Sequence, residues 1–186
     1  QYPYYMHTML ILFIHGFSGA GKDTLGKCFT DHFGFKRVAF ADALKLHVSK
    51  THNVSLEILH SQDGKRQICP HTGTTWRDIL ISEASLCRAV DPDIFAKISC
   101  AAIADNDNIV ITDWRYPNEY DVVRTTFPDA TIHTVLIKRE HGSGCSPVYH
   151  DSEYLLINHT PNFIILNDGK RNLLQGAEHI LSNCLG

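Results

Sequence analysis

A glycine-rich segment sits directly behind an apolar run, and no other feature constrains the fold of this chain as much. Met9-Leu-Ile-Leu-Phe-Ile14 is continuously apolar, the pattern of a strand buried on both faces of a parallel sheet. It runs into Gly16-Phe-Ser-Gly-Ala-Gly-Lys-Asp-Thr24, which has the form G-x-x-x-x-G-K. Glycines let the backbone turn tightly enough for several N–H groups to converge on one phosphate. Residues 23–33 follow as a helix, with Leu25, Cys28 and Phe29 near helical spacing and Gly34 as its stop. That helix points its positive end at the same anion. Lys22 has the reach for β- and γ-phosphates. Strand, loop and helix together form the context that makes this spacing a phosphate-binding loop and not a chance glycine-rich turn.

One position departs from the common form. Ser or Thr usually follows the lysine and holds Mg²⁺. Here Asp23 stands there and Thr24 comes next. The carboxylate suits Mg²⁺ through water or a contact with the acceptor, and the sequence leaves both open. A second segment, Ile109-Val-Ile-Thr-Asp-Trp-Arg-Tyr-Pro-Asn-Glu119, ends an apolar strand in Asp113, at the sheet edge where open α/β sheets bind ligands. Asp113 suits Mg²⁺ positioning or proton abstraction, and Arg115 suits a phosphate grip through its planar fork. The competing reading of Arg115 is a surface ion pair with Glu119.

Elsewhere strands and helices alternate. Strands are expected at residues 37–41, 108–112, 131–137 and 163–166. Helices are expected at 43–50, 74–87, 92–104, 117–126 and 171–184, with a short turn at 55–60 and a turn-rich stretch at 61–73. This order predicts an α/β fold with a parallel sheet covered on both faces. The length of 186 residues suits a single domain, and no repeat or linker divides it. A formal net charge of -3 is no footprint of a DNA-bound protein. The six cysteines contain no C-x-x-C pair, and the twelve histidines no H-E-x-x-H pair. Both facts argue against a zinc site built on cysteines or histidines and for thiols in a reducing compartment, hence a cytoplasmic protein. The run at 9–14 is far too short to span a membrane and has no basic segment ahead of it, so neither anchor nor signal peptide is expected. Residues 1–5 read as an extension outside the fold.

Several blocks, in order, resemble the deoxynucleoside monophosphate kinases of bacteriophages and large DNA viruses. Gly16 to Thr24 is similar to that family's Gly-Lys-Asp phosphate loop. Phe40-Ala-Asp-Ala-Leu-Lys45 resembles its F-A-D-P-L-K block. Gly73-Thr-Thr-Trp-Arg-Asp-Ile-Leu80 resembles its G-x-T-x-R-x-x-L block, and Asp91-Pro-Asp-Ile-Phe95 follows at similar spacing. Asp113 to Glu119 resembles D-x-R-[FY]-P-N-E, and His150-Asp-Ser-Glu153 a late H-x-S-E block. The departures are Ala43 for proline, Ile-Ser-Glu83 for Gly-Thr-Glu, and a short lid poor in arginine.

The resemblance implies a P-loop fold of the NMP-kinase type: a five-stranded parallel sheet flanked by helices, a helical acceptor-binding region and a short lid. It divides the chain into a core (6–41 and 105–186), acceptor-binding helices (42–104) and a lid region (138–153). It implies ATP and Mg²⁺, with a deoxynucleoside monophosphate as acceptor. Gly16, Ser18, Gly19, Ala20, Gly21, Lys22, Asp23 and Thr24 would hold ATP, together with Arg139. Asp23, Thr24 and Asp113 would hold the metal. Lys22, Asp23, Asp113 and Arg115 would serve catalysis. Asp42, Lys45, Trp76, Arg77, Arg88 and Glu153 would bind the acceptor. Lys138 and Arg139 precede the 140–149 loop as lid candidates.

Several of these carry a plainer reading. Asp42 also reads as a helix cap. Trp76 and Phe95 suit base stacking, but aromatics at helical spacing are more often core. Arg77 and Arg88 stand eleven residues apart, close to three helical turns, and so share a face. Two other functions stay open. Similar phage kinases act on 5-hydroxymethyluracil within DNA, which the acidic charge disfavours. A nucleotide-binding module without catalysis is the other, although Asn167-Asp-Gly-Lys170 does not match the Asn-Lys-x-Asp of a GTPase. The loop also lacks the basic residues of animal-type phosphomevalonate kinase. A homodimer is neither required nor excluded, and a viral origin would place the chain in host cytoplasm.

Overall fold

The computed structural model describes residues 8–105, 107–139, 155–169 and 172–184. Residues 1–5, the 140–149 loop, His150 and Glu153 therefore lie outside the described residues. Within them the chain divides into two compact units. One draws on the chain up to Val38 and from Ile103 onward; the other is Ala39–Ala102.

The first unit is built on a five-stranded, all-parallel sheet of order β2-β3-β1-β4-β5. Its strands are β1 (Leu10–His15), β2 (Lys36–Val38), β3 (Ile109–Ile111), β4 (Thr131–Arg139) and β5 (Phe163–Asn167). β1 is central and fully buried, as its unbroken apolar sequence requires. Its alternate residues serve opposite faces. Leu10, Leu12 and Ile14 pack with Leu25 and Phe29 of α1 (Lys22–Phe33) and Ala177 and Ile180 of α8 (Leu173–Cys184). On the other face Phe13 meets Trp114 and Tyr120, with ring centroids 5.1 and 5.2 Å apart. Tyr120 belongs to α7 (Pro117–Thr126), so helices cover both faces. α7 starts at Pro117, where a missing N–H costs nothing. The buried Glu119 carboxylate accepts from the Tyr116 and Arg115 amides, both at 3.1 Å. Glu119 thus serves the main chain at the helix start and is no surface residue.

The second unit is helical: α2 (Phe40–His52), α3 (Leu56–His60), α4 (Gln62–Arg66), α5 (Trp76–Val90) and α6 (Ile94–Ala101). Val48, Leu59, Cys69, Trp76, Ile79 and Leu80 form a core of its own. α5 begins at a capping box: Asp78 N–H donates to Thr75 Oγ1 at 3.1 Å, and Thr75 N–H to Asp78 Oδ2 at 3.3 Å.

Four local expectations are corrected. The strand expected at 37–41 stops at Val38, because Phe40 and Ala41 already belong to α2, whose buried face takes Phe40. Asp42 lies in the first turn of α2 and does not cap it; Ala39 holds the cap position. The stretch 61–73 contains α4, started by Ser61 Oγ accepting from Gly64 N–H at 2.9 Å. Pro92 does not open α6, which starts at Ile94; Asp91 instead accepts from the Asp93 amide and pairs with Lys97 at 2.9 Å.

Candidate active site

The loop between β1 and α1 holds its shape through glycine conformations and side-chain ties. Gly16, Gly19 and Gly21 take φ of 143°, 76° and 108°, a region L side chains avoid. A Cβ on Gly16 would collide with the Ile137 carbonyl oxygen of β4, so only glycine lets the two backbones pass this closely. Lys22 arches back over the loop, its Nζ donating to the Gly16 carbonyl at 2.7 Å and the Phe17 carbonyl at 3.0 Å. Arg139 Nη1 donates to the Gly19 carbonyl at 3.2 Å, and Asn167 Nδ2 to the Ala20 carbonyl at 2.8 Å. Four loop carbonyls are thus held by side chains from α1, β4 and β5. Such a loop, with its carbonyls engaged, is arranged to turn amides toward an anion.

A cavity of about 470 Å³ opens beside this loop. β1 and β4 are neighbours in the sheet, and the chain leaves β1 toward β2 on one side and reaches β4 on the other. The cavity lies at that switch point, past the strands' C-terminal ends, where open α/β sheets bind ligands. Lys22, Arg115, Lys138 and Arg139 bring cationic groups to its lining. Its far wall is His15, Trp114, Leu156, Ile157 and His159. His15 is 5% exposed, and its Nε2 has no hydrogen-bond partner among the described residues. Burial, helped by the nearby His159 and Lys22, pushes its pKa from 6.5 down to about 4, so it is neutral at pH 7. Its ring meets Trp114 at 5.2 Å and His159 at 5.6 Å, edge to face.

The structure gathers part of the predicted set here. Gly16, Ser18, Ala20, Lys22, Arg115 and Arg139 line the cavity. Gly19 and Gly21 shape the loop. Asp23 and Thr24 stand exposed in the first turn of α1, and Asp113 is half-buried beyond β3; these three lie outside the cavity lining. Reading the sequence alone missed Asn167, His15 and His159. Asn167 was readable in principle, since it ends the last parallel strand at the ligand-binding edge.

In the helical unit, Lys45 Nζ pairs with Asp42 Oδ1 at 3.0 Å and lies 3.2 Å from His60 Nδ1. Arg77 Nη2 donates to Gln62 Oε1 at 3.1 Å. Lys65, absent from the expectations above, has its pKa lowered by burial and by the charges of Lys45 and Arg77. Arg88 stands over the Phe95 ring at 5.0 Å. Trp76 is 5% exposed within the unit's core, which corrects the stacking reading: its rings are spent on Val48, Leu59 and their neighbours.

No protein-family model and no curated protein matches the chain. Solved structures do. A candidate kinase from Chloroflexus aurantiacus superposes with a TM-score of 0.54 at 10% identity, covering 96% of this chain and 97% of that one. The protein TT1252 of Thermus thermophilus gives 0.51 at 15% identity, with 96% and 100% covered. The fold is the P-loop α/β fold, a five-stranded parallel sheet flanked by helices. The APS kinase CysC of Mycobacterium tuberculosis, in complex with AMPPNP and APS, lies further off at 0.48 and 10% identity, with 94% and 96% covered. Among the described residues, no helix is long and apolar enough to cross a membrane.

Proposed function

We propose that the chain transfers the γ-phosphoryl group of ATP to a deoxynucleoside monophosphate. One observation carries the reading: a glycine loop with Lys22 arched over its carbonyls, on a cavity that Arg115, Lys138 and Arg139 also line. Phosphoryl transfer asks a protein mainly for positioning and for charge neutralisation. The loop amides and Lys22 bind the β- and γ-phosphates, while Arg115 faces the charge on the moving group. Arg139 ties the end of β4 to the loop.

The residues present suit Mg²⁺, because Asp23, Thr24 and Asp113 offer the hard oxygen donors that ion takes. When bound it neutralises charge between phosphate groups. Asp113 also suits orientation of the acceptor. The helical unit Ala39–Ala102 supplies acceptor recognition. There Lys45 and Arg77 suit the monophosphate of the acceptor, Lys65 feels the charge of both, and Asp42 holds Lys45 in place.

The test is ADP release from Mg-ATP with each of the four deoxynucleoside monophosphates, run beside Lys22→Ala. The wild type should turn over with at least one of them, and the variant should not, at unchanged far-UV circular dichroism. Turnover only with duplex DNA containing 5-hydroxymethyluracil would keep the loop and replace the acceptor.

A further inference from the structure

α2 and α5 pack together within the helical unit and bring four chemically able side chains to one place. His47 Nε2 lies 3.2 Å from Glu83 Oε2. His52 Nε2 lies 3.3 Å from the other oxygen, Glu83 Oε1. Cys87 stands one turn beyond Glu83 on α5, on the same face. One donor atom each from His47, Glu83 and Cys87 lies within 4.8 Å of the other two.

Three donors around a tetrahedral Zn²⁺ stand about 3.3–3.8 Å apart, given metal–ligand distances of about 2.0–2.3 Å. Small rotations of His47 and Cys87, both partly exposed, close that difference. The set mixes an imidazole, a carboxylate and a thiol, which suits Zn²⁺ and disfavours Mg²⁺ or Ca²⁺. His52 completes the arrangement, because a hydrogen bond to the second carboxylate oxygen fixes how the first one points.

We propose that His47, Glu83 and Cys87 form a zinc site that clasps α2 to α5, with His52 orienting Glu83. The site is separate from the phosphate loop and does not depend on the function proposed above. Binding forms one bond each from Zn²⁺ to His47 Nε2, a Glu83 oxygen and Cys87 Sγ. It releases the thiol proton of Cys87, and any proton on His47 Nε2, to solvent. The fourth position stays with water.

The experiment is a Co²⁺ titration of the full chain after chelator treatment, read by absorbance and followed by Zn²⁺ displacement. One equivalent should give the d–d bands of tetrahedral cobalt and a thiolate-to-cobalt charge-transfer band, both removed by Zn²⁺. Cys87→Ser should abolish the charge-transfer band, and His47→Ala should weaken Co²⁺ binding at least tenfold. An octahedral spectrum without the thiolate band would overturn the proposal. So would a thiolate band that survives in Cys87→Ser, since another cysteine would then hold the ion. If Cys87→Ser fails to fold, alkylation of the wild-type chain decides the matter by peptide mass spectrometry. Zn²⁺ should slow iodoacetamide labelling of Cys87 at least tenfold relative to Cys28, and equal labelling with and without Zn²⁺ would refute the site.

Discussion

Gly16→Ala tests the geometry of the phosphate loop. Two costs meet at this position. The first is conformational: φ of 143° lies where an L side chain is strained, at a cost of about 1–3 kcal/mol. The second is steric: the new Cβ would lie closer than 3.0 Å to the Ile137 carbonyl oxygen. That oxygen belongs to the backbone of β4, which is paired on both sides and cannot swing away like a flexible side chain. Relief requires the loop and β4 to part, which adds about 1–2 kcal/mol in the range typical of overpacking. The expected loss is about 2–5 kcal/mol in all. Gly19→Ala is the internal control. Its φ of 76° carries strain, but an added Cβ meets nothing within 4 Å, so the loss should stay near 1 kcal/mol. Urea denaturation measures both. At an m-value of about 2 kcal/mol/M, Gly16→Ala should lower the midpoint by about 1–2.5 M and Gly19→Ala by about 0.5 M, with m unchanged. Equal shifts would refute the claim that the close pass of loop and β4 is what demands glycine at position 16.

Three further outcomes follow from the same geometry. Lys22→Ala should bring coupled ADP release at saturating ATP down to the assay background, since it removes the cation placed on the β- and γ-phosphates. Arg77→Ala should raise the acceptor KM about tenfold or more while the ATP KM moves less than twofold, since it removes a charge-assisted contact on the acceptor side only. His15 makes stability depend on acid: its pKa is 6.5 ordinarily and about 4 in the fold, so the unfolded chain binds more protons between those values. Its contribution is therefore complete above pH 6.5 and is lost as pH falls toward 4. His15→Phe, which keeps a ring against Trp114, should flatten that part of the stability–pH curve measured by urea midpoint.

The legible parts of the fold were those carried by short-range signals. β1 and the loop could be read because an apolar run, three glycines and a lysine are contiguous. α7 could be read to its ends because proline fixes its start. The start of α2 was misread, because Phe40 and Ala41 suit strand and helix alike and their local sequence does not decide between the two. α6 was begun too early at Pro92, because Asp91 is engaged with the Asp93 amide and Lys97 instead of starting a helix. In the site, the loop residues and Arg115 were legible as a motif. His15 was not, since its place comes from the parallel order of the sheet, which sets strand ends beside one another, and Asn167, readable from its position at a strand end, was missed. Lys65 emerged only from the packing of α4 near Lys45 and Arg77. The cluster of His47, Glu83 and Cys87 was not legible, because short-range spacing cannot see a pairing between α2 and α5.

The most direct test of the central claim is transfer of label from γ-³²P-ATP, with the product identified by chromatography. The account predicts a labelled deoxynucleoside diphosphate with wild-type protein and none with Lys22→Ala. Labelled inorganic phosphate alone, or transfer that survives in Lys22→Ala, would contradict it.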